Sequence, residues 1–157
     1  MNKAFNKNKI IKELRFSFGF KKFFSWARPW ICPFEKFIFS IPNNKSVFDI
    51  GCGDGVFLYL IAMLRKPKIL YGVDVIDTDL DAVKTVFNRV KYKKISTFLD
   101  WPEDKFDVVT VIDVLHHIKP EEQSLFVKKT IDKINPGGTL IIKDMNTRPI
   151  FCAFMNI

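Results

Sequence analysis

Residues 47–55 read VFDIGCGDG. A short apolar run carrying one carboxylate, Asp49, meets a turn with glycine at 51, 53 and 55. The apolar part reads as a strand over 46–50. Glycine permits positive φ and removes the Cβ that would keep a ligand off the backbone. The helix expected next, over 53–65, presents free N–H groups at its start. Two ligand classes suit such a turn. A dinucleotide asks for G-x-G-x-x-G, with its pyrophosphate on the helix N-terminus. Here the third glycine comes one residue early, and Asp49 and Asp54 would repel a phosphate. The same carboxylates favour an ammonium group. The turn therefore suits an amino-acid-like zwitterion joined to a nucleoside, and a dinucleotide oxidoreductase is disfavoured.

Outward from this turn the chain alternates strand and helix. Strands are expected over 69–74 (ILYGVD), 95–99, 106–112 (FDVVTVI) and 139–143 (TLIIK). Between them, helices are expected over 77–90 and from Pro120 to the Asn135-Pro136-Gly137-Gly138 stop. Alternation of this kind makes a parallel sheet covered on both faces, and near-continuous apolar strands fit that burial. The fold class is α/β, doubly wound and Rossmann-like. Ligands in such sheets bind at the carboxyl ends of the strands, where strand order reverses. The four candidate ends, 49–55, 74–75, 100–101 and 113–117, each carry an acidic residue. Any one carboxylate is equally well a helix cap or a solvated loop residue; four together point to a polar ligand with several donors. Asp74, 23 residues after Gly51, is placed to accept from two ribose hydroxyls. Asp100 is placed to accept from a purine amino group, with Trp101 beside the ring or simply packed as a loop corner.

At 157 residues the chain is one domain, able to bury about two-thirds of its unfolded surface. Three cysteines without a C-x-x-C pair argue against a disulfide framework or a zinc site, so no metal is expected. No uncharged apolar run approaches the roughly 20 residues of a membrane span, and lysines interrupt any leader-like core. A cytoplasmic protein is expected. The charge is lopsided. Residues 1–36 hold nine basic side chains against Glu13 and Glu35, so they carry +7 of the net +8. Eleven of the 23 aromatic residues lie between Phe5 and Phe39. The chain thus divides into a basic, aromatic segment over 1–45 and a nearly neutral body over 46–157.

The ordered set VFDIGCGDG, GVDV, LDWP, FDVVTVIDVLHHI and NPGGTLIIKD resembles the successive motifs of class I S-adenosylmethionine-dependent methyltransferases over about residues 46–144. The resemblance implies S-adenosyl-L-methionine as cofactor. It implies that Asp49, Gly51, Cys52, Gly53 and Gly55 lie against its methionine part, and that Asp74 and Val75 hold the ribose. It further implies that Asp100 and Trp101 border the adenine, and that Asp113 to His117 line the cofactor and face the substrate. Methyl transfer from a sulfonium needs alignment more than side-chain chemistry. Positioning is worth about 7–11 kcal/mol of barrier against roughly 3–5 for a general base. His116 and His117 are the only histidines. If the acceptor is a hydroxyl or an acidic carbon, one of them is the candidate base, His117 ahead of His116. Otherwise they cap their loop.

DVLHH stands where nucleic-acid amino-methyltransferases carry a Pro-Pro-aromatic motif and cytosine-carbon enzymes a Pro-Cys, so a small-molecule or lipid-like acceptor is expected. The rival class is a non-catalytic relative acting at a membrane or partner surface. Three readings of RFSFGFKKFFSWARPWICPFEKFIF stay open: an interfacial segment on anionic lipid, a nucleic-acid stacking surface, and a lid helix packed on the sheet. The reading taken forward is a lid that also touches membrane. The family's sheet has seven strands, and about five are accounted for here. The last helix and two strands are expected to be missing, leaving the fifth strand an unpaired apolar edge and a route to a homodimer.

Overall fold

A computed structural model of the chain describes residues 6–19, 34–144 and 151–156. Its centre is a six-stranded sheet. The strands are β1 (Ser46–Ile50), β2 (Ile69–Asp74), β3 (Val90–Lys94), β4 (Phe106–Ile112), β5 (Ile134–Asp144) and β6 (Phe151–Asn156), ordered β3-β2-β1-β4-β5-β6. β1 to β5 pair in parallel and β6 is antiparallel to β5. The helices are α1 (Lys7–Phe18), α2 (Glu35–Ile38), α3 (Val56–Arg65), α4 (Asp81–Val86) and α5 (Pro120–Ile131).

The strands are apolar on both sides because both sides are covered. Val47, Val108 and Ile141 join one core with α1, α2, α3 and α4. Their neighbours Phe48, Val109 and Leu140 join the other, with Phe126 of α5, Phe106 and Trp101. That is the period-two alternation of a strand, here with an apolar residue on each face. α3 is buried from Val56 to Ile61. Strand order reverses between β1 and β4, so their carboxyl ends, Ile50 and Ile112, flank the crevice where a ligand would enter.

β1, β2 and β4 coincide with their expected spans, and the doubly wound, mostly parallel sheet is as read. Three elements differ. The helix expected over 77–90 is only α4, because Phe87 turns extended (φ −155°, ψ 103°). The strand expected over 95–99 is β3, five residues earlier. In VKYKK, Val90 and Tyr92 pack on the core while Lys91, Lys93 and Lys94 are exposed. The alternation was present in the sequence, but lysine hid it. Phe98 and Leu99, expected in that strand, belong instead to a 3₁₀ turn, Phe98–Asp100. β5 runs through the Asn-Pro-Gly-Gly segment, with a register irregularity opposite Phe106 and Val108. A Cβ at Gly138 would lie 2.8 Å from the Asn135 carbonyl oxygen, so only glycine fits there.

The unpaired fifth strand is also corrected. β5 pairs with β4 on one side and β6 on the other, from Thr139 with Asn156 to Asp144 with Phe151. The homodimer expected through a bare β5 edge loses its basis, since those backbone groups are already taken.

The N-terminal part packs on the same core. Leu14 is fully buried, and Ile10 and Phe18 nearly so. Ser17 and Tyr59 of α3 share a hydrogen bond at 2.8 Å, and the Phe18 ring meets Tyr59 edge-on. Pro29 and Pro33, which would break any helix running through them, lie outside the described residues. Among the described residues, no helix is long and apolar enough to cross a membrane.

Candidate active site

The glycine turn begins where β1 leaves the sheet. The amides of Gly51 and Cys52 both donate to the Val73 carbonyl, at 2.8 and 3.1 Å. Gly51, Gly53 and Gly55 all have positive φ, at 76°, 52° and 79°. Gly51 also has no room for a side chain, since a Cβ would stand 2.3 Å from Val114 Cγ2. Asp74 ends β2 and closes the turn from the other side. Its Oδ2 accepts the Gly53 amide at 2.7 Å, and its Oδ1 accepts the Ile76 amide at 3.0 Å. Each oxygen keeps a second lone pair for a ligand hydroxyl. Val75 and Ile76 follow, both about two-thirds exposed.

Asp49 is buried behind the turn, where its Oδ1 accepts the Thr110 hydroxyl at 2.6 Å. The Cys52 side chain also points inward. Its Sγ would lie 2.8 Å from a Cβ on Gly72, which explains the glycine of GVD. Cys52 therefore offers the site its backbone. Asp54 stands across from Asp77, Thr78 and Asp79 in an open acidic depression. Tyr92 steadies this side, its hydroxyl donating to the Ile76 carbonyl at 2.5 Å. Burial pushes that phenol up to about 12.

The third strand end is arranged differently from the expectation of two ligand-facing residues. Asp100 Oδ2 accepts the amides of Ser96 and Thr97, both at 2.9 Å, in a capping box completed by the Thr97 side chain. The Thr97 amide, then that of Ser96, holds the carboxyl below its ordinary range. Trp101 is buried against Phe48, Phe98 and Phe126. Its Nε1 has no hydrogen-bond partner among the described residues. Leu99, not Trp101, is the exposed apolar residue here, at 78%.

At the end of β4, Asp113 has φ +57° and pairs with the buried ammonium of Lys143. A 3₁₀ turn, Leu115–His117, follows. His116 Nδ1 lies 2.6 Å from Asp144 Oδ1. The carboxylate only accepts, so Nδ1 carries the hydrogen, and in the neutral imidazole Nε2 is then the nitrogen with the lone pair. The His117 ring lies on that of His116, with centroids 3.9 Å apart.

A comparison with known families matches residues 25–150 to the family described as "Methyltransferase domain". The chain belongs to the methyltransferase domain family. Among similar curated proteins, the ubiquinone biosynthesis O-methyltransferase of Saccharophagus degradans is 27% identical over 112 residues, covering 68% of this chain and 46% of that protein. The one from Idiomarina loihiensis is 30% identical over 109 residues, covering 66% and 43%. The chain thus spans under half the length of these relatives. In fold it is similar to Burkholderia thailandensis 1,6-didemethyltoxoflavin-N1-methyltransferase, solved with its substrate and S-adenosylhomocysteine. The TM-score is 0.66 at 15% identity, covering 91% of this chain and 62% of that one.

Within this methyltransferase domain, Gly51, Gly53, Asp74 and the 113–117 loop converge on the crevice between β1 and β4. The residues fit a nucleoside carrying an ammonium group. Asp74 is anchored with acceptor capacity left over, exposed Val75, Ile76 and Leu99 offer apolar surface for a purine, and Asp54, Asp77 and Asp79 keep the field negative. Among the described residues, no group of His, Cys, Asp and Glu is placed to hold a metal ion. Sequence reasoning missed Lys143 and Asp144. The available signal was a charged dipeptide closing an apolar strand, TLIIKD, at the same carboxyl edge as the other candidates.

Proposed function

We propose that this chain binds S-adenosyl-L-methionine and transfers its methyl group to a hydroxyl on a small, lipid-like aromatic acceptor. The observation that supports the reading most is the joint hold of Asp74 on Gly53 and Ile76, at the same carboxyl edge of the sheet as the His116–Asp144 pair. The names of the curated O-methyltransferase relatives support an oxygen acceptor.

When bound, the cofactor supplies a methyl carbon on a sulfonium, whose C–S electron pair returns to sulfur as the acceptor oxygen bonds to carbon. The protein's part is placement. Gly51 and Gly53 let the methionine end approach the backbone, and Asp74 accepts from the ribose hydroxyls. Val75, Ile76 and Leu99 border the base. His116 takes the hydroxyl proton at Nε2, and Asp144 stabilises the imidazolium that results. This assignment moves the base from His117 to His116, because His116 has the orienting carboxylate.

The outward side of α1 carries Lys9 and Lys12, with Glu13 between them and Phe16, a residue 93% exposed. Cations around an exposed aromatic suit an anionic lipid surface. In this reading α1 and α2 form a cover that rests on α3 and brings the site to a membrane face where a lipid-like acceptor resides.

Titration calorimetry with S-adenosylmethionine, S-adenosylhomocysteine and NAD tests the cofactor, and methyl transfer to a catechol bearing a prenyl tail tests the acceptor. Binding of both adenosyl ligands with no NAD heat is the expected result. Preference for NAD would overturn it.

A further inference from the structure

Lys143 is 3% exposed, yet it carries a charge and sits at the end of a strand. A buried ion pair is a poor source of stability, because removing two charges from water offsets their attraction. What Lys143 does supply is position. It holds Asp113 twice, its carbonyl accepting the Asp113 amide at 2.7 Å and its ammonium meeting the Asp113 carboxylate. Asp113 is the residue at which the chain turns out of β4 with φ +57°, a conformation that costs a non-glycine residue free energy. The next residue of β5, Asp144, holds His116. Two consecutive residues of one strand thus grip positions 113 and 116 of one loop. Between those grips lies Val114, packed so closely on Gly51 that no Cβ fits there.

We propose that Lys143 is a positioning residue: through Asp113 it sets the exit of the loop from β4, so that His116 reaches Asp144 and Val114 seats on the glycine turn. The consequence for chemistry rests on the reading of His116 as the base, but the grip itself is measurable without turnover. The double variant Lys143→Met/Asp113→Asn removes both charges together, and asparagine tolerates the left-handed backbone.

The test is nitrogen-15 NMR of the imidazoles, with thermal melting and calorimetry against S-adenosylhomocysteine. Only two histidines contribute, and His117→Ala assigns them. The parent is expected to show His116 protonated at Nδ1. The double variant is expected to lose that signature and return to the tautomer mixture of a free imidazole, while melting within a few degrees of the parent. Lys143→Arg, which keeps the ion pair, is expected to retain the signature.

A double variant that melts like the parent and keeps the Nδ1 signature would overturn the proposal, as would a parent that never shows it. If the double variant does not fold, Asp113→Asn alone decides by the same signature. Loss of folding in both would make the pair a stabilising element and overturn the proposal too. S-adenosylhomocysteine binding by the parent reports separately on the cofactor reading, so either can fail alone.

Discussion

The Gly53 amide donates to Asp74 Oδ2 at 2.7 Å, across 21 residues of sequence. The second strand's carboxylate therefore fixes the first strand's glycine turn before any ligand arrives. Asp74→Ala removes the anchor and, in the proposed reading, the ribose acceptor. Its S-adenosylhomocysteine dissociation constant is expected to rise at least about tenfold, or ~1.4 kcal/mol, by calorimetry. Wild-type affinity would show that the ribose lies elsewhere.

Two glycines with nearly the same φ separate backbone strain from crowding. Gly51 (φ 76°) faces Val114 Cγ2, whereas Gly137 (φ 74°) has nothing within 4 Å of a built Cβ. Gly137→Ala is expected to cost about 1–2 kcal/mol, the left-handed penalty alone. Gly51→Ala adds a collision with the active-site loop. Chemical denaturation should place it another 1–3 kcal/mol lower, within the usual overpacking range, and only this variant should also lose adenosyl-ligand affinity.

In the proposed mechanism His116 is the base and His117 is not. His116→Ala is expected to lower turnover about 10²-fold or more, the scale of general-base assistance. The dissociation constant for S-adenosylhomocysteine should stay within about threefold, since positioning of the cofactor rests on other residues. His117→Ala should cost less turnover. The reverse order, from steady-state rates of the two variants, would return the base to His117.

Asp107 ties the opposite end of the sheet. Its Oδ2 accepts the amide and hydroxyl of Ser46 at 2.9 and 3.0 Å, and its Oδ1 accepts the Asn135 amide at 3.2 Å. Burial pulls its carboxyl up, but these donors together outweigh it and leave the carboxyl below its ordinary value. A depressed folded value means that stability is present above the unfolded value, about 3.9, and is lost as pH falls through the lower folded one. Asp107→Asn is therefore expected to flatten the loss of melting temperature below about pH 4. An unchanged acid limb would remove Asp107 from the account.

The lipid contact of α1 is read by co-sedimentation with vesicles of phosphatidylcholine and phosphatidylglycerol at low salt. The parent is expected to pellet with the anionic vesicles, and Lys9→Glu/Lys12→Glu/Phe16→Ser should stay in solution, each basic residue near such a surface being worth about 1 kcal/mol. Equal partition of the two proteins would remove α1 from the membrane reading.

Much of this was legible because it depends on local rules. VFDIGCGDG shows a buried strand breaking at residues that need positive φ, and FDVVTVI can hardly be anything but a covered strand. β3 was misplaced because the helical spacing of Leu80, Val83, Phe87 and Val90 competes with the period-two VKYKK, and the competition is settled by pairing to β2. Asp49 and Trp101 were harder still. Asp49 stands near the end of β1 and Trp101 just after the 3₁₀ turn, but their side chains turn into the protein, toward Thr110 and Phe126. Which way a side chain turns at such a junction is a tertiary fact. The grip of Lys143 and Asp144 on the 113–116 loop was invisible for the same reason, since it joins groups about 30 residues apart.

The exposed lysines of β3 bear on how this protein behaves when crowded. An outer strand offers unpaired amides and carbonyls that could template growth of the sheet. The exposed Lys91, Lys93 and Lys94 line that rim, Lys93 donating to the Asp100 carbonyl and Lys94 lying 3.9 Å from Asp77. Two copies meeting rim to rim would bring these lysines together, so this margin resists fibril-like stacking.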